Sequence, residues 1–317
     1  MSVLGQSTED LELVLVDDHS VDSTWEMIQS LSVRDKRVRG VKNQGMEGLT
    51  YSLNMGLDFA RGEYIARIDV DDFAHRDRTK KQIEEMDSSP SAAMCASMFR
   101  VVDTDDWELY CHGPSCDPKR LKWSLCFRNN IRHSTVMWRK SIDMRYEPSF
   151  RYAQDYELWC RMARIGEVKV IPEILATIKS RPSSITNTKH EQQEAMADRV
   201  AAEQYEFYTG VAINEKESRN LRMVYYLKSS EQFEVFNSIN PHDFCSAVER
   251  YCRLAEAFAR KESPDQGSFL SEIGNDISSL MGNPSRAEDT AKSIRRISKL
   301  LGRSSLVYQI EKRFVSL

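Results

Sequence analysis

This chain of 317 residues holds no uninterrupted apolar run near the ~18 residues that a membrane-crossing helix needs. Its cysteines are few, seven in all, an odd number without close pairing. That excludes a disulfide framework and fits a reducing compartment. Cys111-His112 and Cys116 have no second Cys-x-x-Cys or His pair nearby, so they read as ordinary cysteines rather than a metal site. Positive charge is not in excess. Forty-four Lys and Arg stand against 48 Asp and Glu, the net charge is −4 and the pI is about 6.0, so the chain carries no nucleic-acid footprint. Met1 to Gln6 lacks the basic and apolar regions of a signal peptide, and the expectation is a cytoplasmic protein. Internal repeats and low-complexity tracts are missing too. What remains, 41% hydrophobic and 29% charged residues, suits a globular chain of one large or two modest domains.

The most informative stretch is Gly62-Glu63-Tyr64-Ile65-Ala66-Arg67-Ile68-Asp69-Val70-Asp71-Asp72. Tyr64 to Val70 reads as a strand running straight into Asp69, Asp71 and Asp72. In an open α/β sheet, ligands sit beyond the carboxyl ends of strands. Carboxylate oxygens suit Mg²⁺ or Mn²⁺, and several carboxylates held together are costly without a cation. Taken alone, Asp71 and Asp72 read equally as solvated loop residues or a cap for the next helix.

The rest of the first half alternates strands and helices. Leu11 to Val16 is a strand ending in Asp17-Asp18-His19-Ser20, and Asp22 or Ser23 caps a helix carrying Trp25, Ile28 and Leu31. Val38 to Val41 is a strand, and Leu49, Leu53, Leu57 and Ala60 share a helix face stopped by Gly62. A charged helix through Met86, a strand over Ala92 to Val102 and a loop over 103–120 follow. Then come a strand after Ile131, a helix with Leu158, Trp159, Met162 and Ile165 on its apolar face, and a strand over Val168 to Ile178. Pro172 interrupts that last strand and suggests a sheet edge. Repeated strand–helix–strand units argue for a mainly parallel sheet with crossover helices. From about Asn187 helical segments dominate, over 190–208, 217–228, 243–262, 268–281 and 286–301. The expected division is an α/β domain over 1–186 and a helical region over 187–317. Phe244, Val248, Tyr251, Leu254 and Phe258 fall at helical spacing and read as core.

Residues 1–186 resemble the GT-A glycosyltransferases of family 2. Val16-Asp17-Asp18-His19-Ser20-Val21-Asp22-Ser23-Thr24 is similar to V-D-D-G-S-x-D-x-T, and Asn43-Gln44-Gly45 and Leu53-Asn54-Met55-Gly56 to N-x-G and A-L-N-x-G. Ala60 to Asp72 resembles A-x-G-E-Y-I-A-R-M-D-A-D-D, His133 to Arg139 resembles H-P-S-V-M-F-R, and Gln154 to Trp159 resembles E-D-Y-D-L-W. The resemblance implies a Rossmann-like GT-A domain with a mixed, mainly parallel sheet, plus a helical C-terminal extension. It implies transfer of a sugar from a UDP-, GDP- or dTDP-linked donor to a glycan or lipid-linked acceptor, with inversion, in polysaccharide, lipopolysaccharide or other cell-surface glycan synthesis. Asp17 or Asp18 would hold the base or ribose. Asp69 would lie near the ribose, Asp71 would bind the Mn²⁺ or Mg²⁺ that bridges the diphosphate, and Asp72 would support the metal shell. Asp155 matches the general base, although on its own it reads equally as a helix N-cap. His133 and Gln154 would lie toward the acceptor, or His133 would be a satisfied core histidine.

Departures from the family pattern bear on activity. The family opens on a strand like V-S-V-I-I-P-x-Y-N and a helix, and about 25–30 residues of that βα unit are missing before the region that matches. Their absence leads us to expect exposed strand edges. A fragment, a gap filled by another segment, or an inactive scaffold relative would each account for it. His19 replaces a glycine, Arg76 a proline and Gln154 a glutamate; the last removes a charge beside Asp155 and should favour its ionised form. A receiver domain, suggested by Leu15 to His19, fits the later acidic cluster poorly. Finally, Thr290 to Leu317 carries Lys292, Arg295, Arg296, Lys299 and Arg303 beside Ile294, Ile297, Leu300 and Leu301. Such a helix packs on a domain or lies on an anionic membrane, which would place the protein at the inner face of the plasma membrane.

Overall fold

The computed structural model describes residues 2–181, 188–226, 241–263 and 265–281. The expected helix over 286–301 and the basic segment 290–317 lie outside the described residues. The chain divides into two compact units, Met1–Leu125 with Asn129–Ala197, and Cys126–Arg128 with Asp198–Leu317.

The first unit opens with β1 (Leu13–Asp17), α1 (Thr24–Arg34), β2 (Val38–Lys42) and α2 (Leu49–Phe59). β1 and β2 pair in parallel and form a sheet of their own. The second sheet is built from β3 (Tyr64–Ala66), β4 (Phe73–Ala74), β5 (Ala92–Val102), β6 (Glu108–His112), β7 (Met137–Arg139) and β8 (Glu167–Lys179). Its order is β3-β7-β5-β8-β4, with β6 paired to β5. The mixed α/β character holds, and the longest pairing, β5 with β8, is parallel. Only β1–β2 and β5–β8 are parallel among the described pairs; β3–β7, β4–β8, β5–β6 and β5–β7 are antiparallel. β5 is buried along nearly its whole length, as a strand covered on both faces must be, and its Met94, Cys95 and Ala96 are fully buried.

Three local readings are corrected. The stretch 103–120 is not all loop: β6 forms a hairpin with β5, and α4 (Pro118–Ser124) starts where Asp117 accepts from the Lys119 and Arg120 amides, with Pro118 in the first turn. Pro172 does not put β8 at an edge. β8 lies between β5 and β4, and Pro172 falls inside a register shift, where Ser97 faces Ile171 but Met98 faces Ile174. β3 stops at Ala66, so Asp69 to Asp72 lie in a turn beyond the strand, with Val70 fully exposed.

β1 pairs only with β2 and β3 only with β7, so each keeps one edge without a strand partner among the described residues. The Glu12 carboxylate, just before β1, accepts from the Arg61 and Gly62 amides, just before β3, and so ties the starts of the two strands. Gln6 anchors the N-terminal residues: it donates to the His75 carbonyl at 2.8 Å and accepts from the Thr79 amide at 3.0 Å, beside α3 (Arg78–Ser88). α5 (Gln154–Ile165) buries Leu158, Trp159 and Met162 as expected, whereas Ile165 is exposed.

The second unit is helical: the later part of α6 (His190–Thr209), then α7 (Glu215–Tyr226), α8 (Pro241–Glu262) and α9 (Gln266–Met281). Val248, Tyr251, Leu254 and Phe258 are buried, as the helical spacing predicts. Arg222 is buried with Asp198 and donates to the Phe127 carbonyl at 2.7 Å. Buried charges need such partners.

One close approach in the first unit is testable. A Cβ on Gly166, after α5, would come within 2.9 Å of the Ser91 carbonyl oxygen, which is backbone and cannot swing away. Gly166→Ala is expected to cost ~1–3 kcal/mol by overpacking. Denaturant unfolding should show a lower midpoint at unchanged slope; an unchanged midpoint would contradict this packing.

Candidate active site

The first group of site residues lies at the carboxyl end of β1. Asp17 is buried; one carboxylate oxygen accepts from the Ser20 amide at 3.3 Å, and Oδ2 has no partner among the described residues. Asp18 accepts from Asn43 Nδ2 at 3.0 Å and from the Gly48 amide at 3.1 Å. Asn43 is itself buried and also reaches the Met46 carbonyl and Ser52. His19, which stands where the family pattern has glycine, has φ 60°. That left-handed backbone explains the glycine of the pattern, and histidine accepts it at a modest cost.

The second group follows β3. Asp69 forms an ion pair with Arg67, its amide donates to Ser134 Oγ at 3.0 Å, and its Oδ2 lies 3.3 Å from the same hydroxyl. Ser134 also bonds Asp72, whose other oxygen accepts from the Lys179 amide at 3.0 Å. One hydroxyl therefore bridges two carboxylates. Burial pushes the Asp72 carboxyl up to about 6, with Asp69 and Asp71 adding repulsion and the two hydrogen bonds opposing it. Asp71 points the other way and meets Arg181 at 3.3 Å. Beneath the cluster, Arg78 is buried and donates to the carbonyls of Arg67 at 2.8 Å and Val136 at 3.0 Å. Burial lowers its own pKa to about 10.

The third group surrounds Asp155 in the first turn of α5. The cap position of this helix is Ala153, so Asp155 is not the N-cap. Its carboxylate accepts from Asn129 Nδ2 at 2.8 Å and from the Tyr156 amide at 2.8 Å. Burial raises its pKa, while the Tyr156 amide, Arg67, Arg132 and Asn129 pull it down; burial prevails. Replacing a glutamate by Gln154 thus does not decide the ionisation of Asp155. Gln154 is buried, with its Oε1 unpartnered among the described residues. His133 shares a 2.7 Å hydrogen bond with the Tyr146 hydroxyl and meets the Trp159 ring edge-on at 5.6 Å. Burial, reinforced by Arg67, holds His133 well below the usual histidine range, so it is neutral at pH 7. Asn54 of α2 exchanges two hydrogen bonds with the Tyr146 backbone, at 2.8 and 2.9 Å, which sets that ring.

Residues 1–144 match the family model described as Glycosyl transferase family 2. Over those residues the chain is similar to the family-2 glycosyltransferases. Among relatives, an uncharacterized glycosyltransferase of Haemophilus influenzae is 23% identical over 83% of this chain and 88% of its own length. The putative teichuronic acid biosynthesis glycosyltransferase TuaG of Bacillus subtilis is 28% identical over 59% of this chain and 75% of its own. The UDP-Glc:alpha-D-GlcNAc-diphosphoundecaprenol beta-1,3-glucosyltransferase WfaP of Escherichia coli is 24% identical over 59% of this chain and 68% of its own. Residues 1–349 of S. aureus TarS, solved with UDP-GlcNAc, share the fold at a TM-score of 0.54 and 14% identity, covering 99% of this chain and 86% of that one. The fold is GT-A.

The structure thus joins Asp69 and Asp72 through Ser134, and His133 to Tyr146 by a hydrogen bond. It shows no direct contact between either group and Asp17 or Asp18 among the described residues. Arg67, Arg78, Ser134, Asn129 and Tyr146 were not assigned roles from sequence. The first three lie inside or next to quoted motifs, whereas Asn129 and Tyr146 lie outside them. The donor set fits a divalent cation in one respect: among the described residues Asp71 meets only Arg181, which leaves carboxylate oxygen available, while Asp69 and Asp72 are engaged by protein donors. One carboxylate plus phosphate oxygens is an ordinary arrangement for Mg²⁺. Among the described residues no group of three or more His, Cys, Asp or Glu forms a metal cage.

The raised pKa of Asp72 has a stability consequence. The folded chain holds a proton on Asp72 that the unfolded chain gives up between its ordinary 3.8 and about 6, so this residue's contribution falls as pH rises through that window and stays low above it. Two pKa units are worth ~3 kcal/mol, and partial contact with water reduces this to roughly 1 kcal/mol. With EDTA present, Asp72→Asn should therefore raise stability by about 1 kcal/mol at pH 7.5 and by nothing at pH 4. Thermal melts of both proteins at the two pH values check this; destabilisation at pH 7.5 would contradict it.

Proposed function

We propose that the protein transfers a sugar from a nucleotide-diphosphate sugar to an acceptor hydroxyl, with inversion and with the aid of Mn²⁺ or Mg²⁺, during synthesis of a bacterial-type surface polysaccharide. What supports this is a carboxylate cluster after β3, held by Arg67, Ser134 and the Lys179 amide, together with a separate carboxylate, Asp155, held by Asn129 at the start of α5. The first suits a metal–diphosphate and the second suits a base. UDP is the first nucleotide to test, since the relative WfaP and the structural neighbour TarS are described with UDP-sugars. A lipid diphosphate-linked acceptor is the first acceptor class, on the same ground.

Asp17, at the carboxyl end of β1, and Asp18 beside it would receive the base or ribose. Asp71 would hold the cation, and Asp69 and Asp72 stay fixed by Arg67, Ser134 and the Lys179 amide. When bound, the cation neutralises charge gathering on the departing nucleoside diphosphate. Asp155, oriented by Asn129, takes the proton of the acceptor hydroxyl. Its raised pKa moves it toward working pH, where a base is most effective. Neutral His133, held by Tyr146, borders that side without adding charge.

Calorimetry of UDP, GDP and dTDP with and without Mn²⁺ tests the donor half. UDP binding should strengthen at least tenfold with Mn²⁺, and Asp71→Asn should remove that gain while leaving metal-free binding within about threefold. Binding indifferent to Mn²⁺, or no nucleotide binding at all, would overturn the proposal and favour a scaffold role.

A further inference from the structure

The β5–β6 hairpin stands beside the site and exposes apolar and aromatic surface. Trp107 is 75% exposed, Leu109 53% and Tyr110 46%. The turn is well built: Asp103 accepts from the Asp105 and Trp107 amides, both at 2.9 Å, and Asp106 takes the left-handed conformation. The exposed rings are therefore presented by an ordered element. Large exposed aromatics in such a place call for an explanation.

Two contacts fix the hairpin to the acidic site. Lys179, whose amide bonds Asp72, reaches Asp106 with its ammonium at 3.0 Å. Arg132, next to His133, lies over the Phe99 ring at 5.6 Å and has its Nη2 3.5 Å from the Tyr110 hydroxyl. The carboxylates of the hairpin strand are otherwise engaged, Glu108 with Arg100 at 2.9 Å. Arg132 is exposed and has no carboxylate at ion-pair distance among the described residues. Its charge nevertheless reaches Asp155. Arg132, beside the Tyr110 ring and next in sequence to His133, thus offers a guanidinium to an anionic group.

We infer that Tyr110 and Arg132 form the acceptor-binding surface, with the Tyr110 ring packing on a sugar face of the acceptor and Arg132 pairing with its phosphate. This rests on the glycosyltransferase reading above and names the acceptor as a saccharide carrying a phosphate. Arg132 suits that group because a guanidinium grips phosphate in a planar fork. Trp107 and Leu109 are exposed on the same hairpin.

The test measures binding of two probes to the full chain: undecyl N-acetylglucosaminyl diphosphate, and octyl N-acetylglucosaminide, which lacks phosphate. UDP binding is followed in parallel. Wild type should prefer the diphosphate probe about tenfold or more, a difference near 1.4 kcal/mol. Arg132→Gln should abolish that preference and Arg132→Lys should restore part of it. Tyr110→Ala should weaken both probes about tenfold, and Tyr110→Phe should keep the binding. Unfolding midpoints should fall only slightly, through loss of the contact between Arg132, Phe99 and Tyr110, and the fold should be kept. If UDP binds but neither probe does, or the variants bind the probes like wild type, the surface is not the acceptor site. If the probes behave as expected and UDP does not bind, the acceptor surface stands and the donor assignment falls. If nothing binds, both fall.

Discussion

Arg67 carries a positive charge just beyond the end of β3, with its side chain only 12% exposed. It pairs with Asp69, and its carbonyl is held by buried Arg78. A buried guanidinium without partners would be costly, and carboxylates crowded without a cation would repel one another. Each group makes the other tolerable. The same charge reaches farther: it opposes the effect of burial on Asp155 and reinforces it on His133. Burial remains the larger effect on both residues, and Arg67 moderates it at Asp155 and adds to it at His133. Arg67 Nη1 has no hydrogen-bond partner among the described residues, which suits a position facing ligand.

Around that cation the site divides its labour. Asp69 and Asp72 are fixed by Ser134 and by the Lys179 amide, and Asp71 turns outward. Asp155 is held from a different direction by Asn129. A carboxylate already satisfied by protein donors keeps its geometry, and a less engaged one can take a ligand. The turn that carries Asp69 to Asp72 exists because β3 ends at Ala66, earlier than its apolar pattern suggests. Had the strand continued to Val70, alternation would have sent Asp69 and Asp71 to one face and Asp72 to the other.

The motif residues were legible because their chemistry is local: three carboxylates in four positions, an Asp pair ending an apolar strand, an acid opening a helix. What joins them was not legible. Ser134 meets Asp72 across 62 positions, Lys179 meets it across 107, and Asn54 sets Tyr146 across 92. Such pairings depend on strand order, which local patterning does not encode. Strand–helix alternation describes β1 to β3, and β7 then enters antiparallel between β3 and β5, a position that local patterning does not encode. β6 was missed because Gly113 and Pro114 dominate a short exposed segment whose strand character comes from pairing with β5.

The most direct test of this division is Asp155→Asn, followed by UDP-sugar binding and by sugar transfer to a diphosphate-linked acceptor in the same preparation. Removing the proton acceptor, with the amide oxygen kept toward Asn129 and the Tyr156 amide contact given up, should leave donor affinity within about twofold and lower the transfer rate by ~10²–10⁴-fold. Transfer within tenfold of wild type, or a parallel loss of donor binding, would contradict the assignment of Asp155 as a base distinct from the donor-binding carboxylates.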